Sequence, residues 1–247
     1  MNQITKSEYN VDDIIQCFNI PDDAYYYILL QRTSYQRSLN RYFRRANLGG
    51  VYDRYLLKVI EASRKDEISQ LYSIDMQSEF DTFRDLLPKN AKKILDIGCG
   101  IGGIDILIFN HYIPSEIDIF LLDKEGVSRE VYYGYHGKGA FYNSLILAKK
   151  FLTANSVPQN KISTFDIDSV DFPKDTKFDV IVSLISWGFH YPVETYLNDA
   201  YATLSDNGVV ILDIRKDTNG RAVLSEKFTS VELIQIGENH ERLLLRK

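Results

Sequence analysis

Four glycines fall within six residues, Gly98, Gly100, Gly102 and Gly103, inside the stretch KKILDIGCGIGGIDILI that runs from Lys92 to Ile108. An apolar run ends at Ile97 just before them, and a second begins near Ile101. That pattern predicts a buried strand, a tight turn and an apolar helix in direct succession. Glycine permits backbone conformations and close approaches that a β-carbon would obstruct. The first turn of the following helix offers unpaired N–H groups and a positive dipole end, so a negatively charged group is expected to sit at the turn. The spacing fits both G-x-G-x-G, with Gly98, Gly100 and Gly102, and the dinucleotide pattern G-x-G-x-x-G, with Gly98, Gly100 and Gly103.

Beyond Pro88 the rest of the chain keeps the same rhythm. The short apolar runs KKILDI, EIDIFLL, KISTF, FDVIVSLI and NGVVILDI alternate with longer helix-like segments, which predicts parallel βαβ units with helices on both faces of the sheet. The end of the chain differs, since SVELIQI, GENH and ERLLLR read as a hairpin rather than another crossover. From Glu8 to about Leu87 the apolar residues follow helical spacing, for example Tyr55, Leu56, Val59 and Ile60. The expected organisation is therefore an N-terminal helical cap over residues 1–91 and an α/β domain over 92–247.

A net charge of −5 argues against a chain devoted to gripping a nucleic-acid backbone. Two cysteines, Cys17 and Cys99, are too few for a disulfide framework, and neither has a neighbour at metal-ligand spacing, so no metal is expected. The amino terminus lacks the basic start and apolar segment of a signal peptide, and no run approaches a membrane span, so the expected location is cytoplasmic.

Asp96 lies two residues before the first glycine, and LDIGCGIGG resembles motif I of the class I S-adenosylmethionine-dependent methyltransferases. The resemblance covers roughly Lys92 to Lys247 and implies a Rossmann-like sheet, with S-adenosyl-L-methionine as cofactor and S-adenosyl-L-homocysteine as product. It also implies that Asp96, Gly98, Cys99, Gly100 and Gly102 face the methionine end of the cofactor. Asp123, at the end of the next strand and followed by Lys124, matches the family's acid for the ribose hydroxyls. Asp166 with the backbone of Ile167 matches the adenine-binding turn, for which Asp168 fits almost as well. Ser183, at the end of the fourth strand, completes the cofactor set.

That fourth strand runs into ISWGFHYP, which the resemblance places as a loop beside the cofactor. Trp187 and Tyr191 are candidates for the wall of an acceptor pocket, although Trp187 would equally serve to pack under the helix starting near Val193. His190 is the candidate general base because its unperturbed pKa lies near neutrality; the alternative is a backbone hydrogen bond. A long segment after Lys124, rich in tyrosine and glycine, reads as a lid that supplies Tyr135 and a second candidate base, His136. Arg41 and Arg45 belong to an arginine-rich helical face that is either solvated or suited to an anionic acceptor. The expected activity is methyl transfer to a small molecule, an oxygen of a sugar or phosphate-type precursor of surface polysaccharide. A nucleic-acid methyltransferase and a catalytically silent S-adenosylmethionine-binding partner are the alternatives.

Overall fold

The structure, a computed structural model, describes residues 17–32, 35, 65–127 and 142–247. Within them a seven-stranded sheet carries the core. Strand β1 (Lys93–Ile97) lies between β2 (Asp118–Asp123) and β6 (Phe178–Ser183), with β5 (Ile162–Asp166) beyond β2. On the other side β6 is followed by β8 (Leu204–Arg215), β10 (His240–Arg246) and β9 (Ser230–Ile236). The pairs from β5 across to β8 are parallel, and β10 runs antiparallel to both β8 and β9, so the terminal hairpin expected from the sequence is present.

Alternation along the strands divides the core into two layers. Ile94, Val180, Val182, Ile211 and Leu244 face one side, while Leu95, Ile181, Val210, Leu212 and Leu243 face the other. Successive side chains of a strand point to opposite faces, and a sheet covered on both faces must be apolar at every position, which explains the unbroken apolar runs. The first face is covered by α1 (Ala24–Gln31), α2 (Lys65–Asp81), α3 (Gly103–His111) and α4 (Leu145–Ala154). The second is covered by α5 (Leu197–Thr203), α6 (Gly220–Ser225) and Trp187. The N-terminal helices thus share one continuous core with the sheet: Phe18 packs edge-on against Phe151 of α4 at 5.6 Å between ring centroids.

Two local features depart from expectation. Helix α3 begins at Gly103 rather than near Ile101, because Gly102 takes a left-handed φ of +78° as its N-cap and delays the first helical turn. The segment after β6 is not a loop but a strand, β7 (Ser186–Tyr191), lying against β8 so closely that a Cβ on Gly188 would sit 2.9 Å from the Asp213 carbonyl oxygen. Ile185 joins β6 to β7 at φ +53°, an uncommon conformation for a β-branched residue. A small ladder of β3 (Gly126–Val127) with β4 (Tyr142–Asn143) precedes α4, whose first amide is capped by the Glu125 carboxylate and whose Leu147 amide is capped by Ser144. Among the described residues no helix is long and apolar enough to cross a membrane.

Candidate active site

The strand order reverses direction on either side of β1, and in open α/β sheets the crevice at the carboxyl ends of the strands around such a point is where ligands bind. The glycine turn leaves β1 there. Gly98, Gly100 and Gly102 all have positive φ, at 78°, 55° and 78°. A Cβ on Gly98 would overlap the Ser186 hydroxyl, and one on Gly100 would sit 2.8 Å from Oε1 of Gln31. The turn is therefore held between β7 on one side and the end of α1 on the other. Neither Ser186 nor Gln31 carries a sequence signal, since both reach the turn only through tertiary packing.

Asp123 closes the turn from the next strand. Its Oδ2 accepts a hydrogen bond from the Gly100 amide at 2.9 Å, and its Oδ1 accepts one from the Lys124 amide at 2.7 Å. Each oxygen retains lone-pair capacity for a hydroxyl donor. Burial pushes the carboxyl up to about 6, against those two amide hydrogen bonds. Asp96, 3% exposed, and Asp105, fully buried in the first turn of α3, complete an acidic lining. Burial raises both carboxyls: Asp96, raised further by the Asp105 charge and the hydrogen bond to it, lies well above the usual carboxylate range, and Asp105 is pushed up to about 7 against its hydrogen bond with Asp96. Burial, followed by the three nearby carboxyls, also pushes the Cys99 thiol up, so Cys99 stays neutral beneath the turn.

The outer turn after β5 is shaped by Asp166. Its Oδ2 accepts from Ser169 Oγ at 2.6 Å, and its Oδ1 accepts from the amides of Asp168 and Glu125 at 3.2 and 3.3 Å. The Ser169 hydroxyl is the main influence holding this carboxyl below its ordinary value. The Ile167 amide is committed to the Asp123 carbonyl at 3.0 Å, which removes it as a donor to a ligand. Asp168 forms a 3.0 Å ion pair with Lys124 across the same turn.

In β7, alternate residues face different surroundings. Trp187 is fully buried, and its indole N–H donates to the Val193 carbonyl at 2.7 Å, so it props the chain from within rather than walling an open pocket. Ser183 is also fully buried; its hydroxyl donates to the Ile97 carbonyl at 2.7 Å and accepts from the Trp187 amide at 3.0 Å. It fixes the ends of β1 and β6 together, and its proton is spent there. Burial raises the Tyr191 hydroxyl, and Lys124, Asp123 and Asp168 lie near enough to act on it. Burial, reinforced by the positive charge of Arg215, lowers the His190 pKa below its ordinary value. Phe189 packs edge-on to His190, and the Arg215 guanidinium lies 5.8 Å from the Phe189 ring centroid. His136, Tyr135, Arg41 and Arg45 lie outside the described residues.

Residues 72–236, more than half of the chain, match the methyltransferase-domain family. The chain belongs to this family. The methyltransferase is of class I, with S-adenosylmethionine as the methyl donor. The residues present fit such a cofactor: a glycine turn in which a side chain would collide with its neighbours, a carboxyl at the end of β2 with acceptor capacity left, and buried carboxyls suited to cationic groups. No curated protein matches the sequence. Among solved structures, the methyltransferase is similar to the T. thermophilus 16S rRNA N2 G1207 methyltransferase in complex with AdoMet and guanosine. That pair shares 16% identity and a TM-score of 0.50 over 70% of this chain and 42% of the other. It is also similar to the StiE O-MT, at 17% identity and a TM-score of 0.50, over 78% of this chain and 64% of the other. At these identities the likeness is one of fold, and the chain spans under half the length of the T. thermophilus enzyme.

Proposed function

We propose that this methyltransferase methylates a hydroxyl oxygen of a small, polar acceptor, a sugar or phosphate-type precursor of surface polysaccharide. The observation that carries the reading is the environment of His190, which stands on β7 at the carboxyl end of the sheet with its imidazole kept neutral by burial and by Arg215. A neutral imidazole is a competent proton acceptor at physiological pH. Bound S-adenosylmethionine supplies an electrophilic methyl group. The chain's own part is to hold the cofactor on the glycine turn and Asp123, to seat the acceptor beside β7, and to take the hydroxyl proton on His190 as the new oxygen–carbon bond forms. The charge of Arg215 beside His190 favours an acceptor that carries negative charge. The overall charge of −5 disfavours a long nucleic-acid backbone. We place the reaction in the cytoplasm, where nucleotide-linked and phosphorylated sugars would be available, with residues 1–91 acting as a cap over the site.

The test is transfer of a labelled methyl group to a panel of nucleotide sugars, sugar phosphates and RNA. Label on a sugar or phosphate-type acceptor supports the reading, and its loss in His190→Gln with unchanged cofactor affinity assigns the base. Label on RNA alone would replace the acceptor class. Tight cofactor binding with transfer to nothing would favour a silent binding partner.

A further inference from the structure

Asp105 sits between Ile104 and Ile106 at the start of α3, and the fold gives it no obvious work. Its side chain is wholly buried, and apart from its own backbone N–H the carboxylate meets no donor outside the neighbouring Asp96 among the described residues. An ionised carboxylate taken out of water without donors is among the costliest states a protein interior can hold. The group within hydrogen-bonding reach is the carboxyl of Asp96, itself 3% exposed at the end of β1. Two carboxyls bond to each other only when one of them carries a proton. The pair lies against the glycine turn, since Asp105 Oδ2 is 3.3 Å from the place a Cβ on Gly102 would take.

The groups acting on this pair from neighbouring elements are Asp123 of β2, Cys99 of the turn and Tyr72 of α2. All three are acidic or neutral, and among the described residues no lysine, arginine or histidine forms an ion pair with either carboxyl. A buried negative pair without a counter-cation, facing a ligand crevice, fits a ligand that brings the cation with it.

We propose that Asp105 is a positioning residue acting through Asp96: the two carboxyls share one proton in the free protein and release it to solvent when the cationic amino-acid end of the cofactor binds. The proposal rests on the S-adenosylmethionine reading of the site. Its balance is simple: the shared O–H bond breaks, the proton passes to the buffer, and the cofactor's ammonium group keeps its own protons and supplies the compensating charge. Asp96 meets the cofactor, and Asp105 sets the charge state in which Asp96 waits.

The experiment is calorimetric titration with S-adenosylhomocysteine in buffers of different ionisation enthalpy between pH 6 and 7.5, which counts the protons exchanged on binding. The intact protein should release about one proton per ligand within this range, and its Kd should fall by up to about tenfold per unit rise in pH, as a linked deprotonation requires. 5′-Methylthioadenosine, which retains the ribose and adenine but lacks the amino-acid end, should bind without that release, separating the pair from Asp123. In Asp105→Asn the amide can donate to Asp96 and hold it ionised, so release should drop close to zero. Binding of S-adenosylhomocysteine to the intact protein without proton release, or equal release with 5′-methylthioadenosine, overturns the proposal and leaves the cofactor assignment standing. Absence of any S-adenosylhomocysteine binding overturns both. The comparison of the two ligands needs no variant and decides the matter even if Asp105→Asn does not fold.

Discussion

Arg242 grips Asp213 through two hydrogen bonds, Nε to Oδ1 at 2.7 Å and Nη2 to Oδ2 at 2.8 Å, with both side chains fully shielded from water. The same guanidinium reaches α2, contacting Glu79 Oε2 at 2.6 Å, and then Thr82 Oγ1 at 2.7 Å. It joins β10, β8 and the N-terminal helices in one buried network. Such a pair need not stabilise the fold relative to an apolar replacement, but removing one partner strands the other. Arg242→Ala should therefore cost about 3–5 kcal/mol. Urea unfolding checks this, and Arg242→Met combined with Asp213→Leu should recover much of the loss. A cost below about 1 kcal/mol for Arg242→Ala would mean that water enters to rescue Asp213.

The raised carboxyl of Asp123 makes stability fall with rising pH. Its ordinary value is 3.8, and burial moves it to about 6, so the folded protein binds more protons than the unfolded chain between those values. The associated stability is complete below the lower value and is lost as pH rises through the upper one, an effect on the order of 2–3 kcal/mol. Thermal scans of the ligand-free protein should show a melting temperature that declines from pH 4.5 to 6.5. The decline should be shallower in Asp123→Asn, and an identical slope in that variant would remove Asp123 as its source.

The contact between Gly98 and Ser186 leads to a paired substitution. A Cβ on Gly98 meets the Ser186 hydroxyl, and the φ of +78° adds strain of about 1–2 kcal/mol for any other residue. Gly98→Ala should lower the melting temperature and abolish the increase that S-adenosylhomocysteine produces in the parent. Adding Ser186→Gly should relieve the overlap while leaving the backbone strain, so thermal stability should return only in part. Full recovery would show that φ at this position is free to relax.

For His190 the pH profile is the diagnostic. Burial and Arg215 place its pKa below the ordinary 6.5, so kcat should stay level from pH 7.5 down past 6.5 and fall only at lower pH. Arg215→Gln should shift that acid limb upward, and His190→Gln should reduce kcat by about 10²- to 10⁴-fold. Near-normal turnover in His190→Gln, with the acid limb unmoved, would leave β7 with packing and positioning alone.

Much of the fold was legible in the chain because its signals are local. The apolar runs had to be strands covered on both faces, the glycines at 98, 100 and 102 had to take a left-handed turn, and Gly237 in GENH had to lie between two hairpin strands. Asp123 could be singled out because it directly follows the apolar run EIDIFLL, and the structure places it at the end of β2, in register with β1 beside it. The ISWGFHYP segment was harder to read: its aromatic residues look like a pocket wall, yet burial against β8 turned them into a strand with Trp187 enclosed.

What the sequence alone determined, then, is the order of strands and helices and the glycine turn between β1 and α3, because backbone conformation and apolar periodicity depend on neighbours along the chain. Tertiary structure alone decided that Asp105 meets Asp96, that Gln31 reaches Gly100 and that Arg242 closes on Asp213 and Glu79. It also committed Ser183 and the Ile167 amide to internal hydrogen bonds. Each of these depends on which side chains burial brings together. Once water is excluded, a buried polar group must find its partner wherever the packing puts one, and that partner's place in the sequence carries no mark of the meeting.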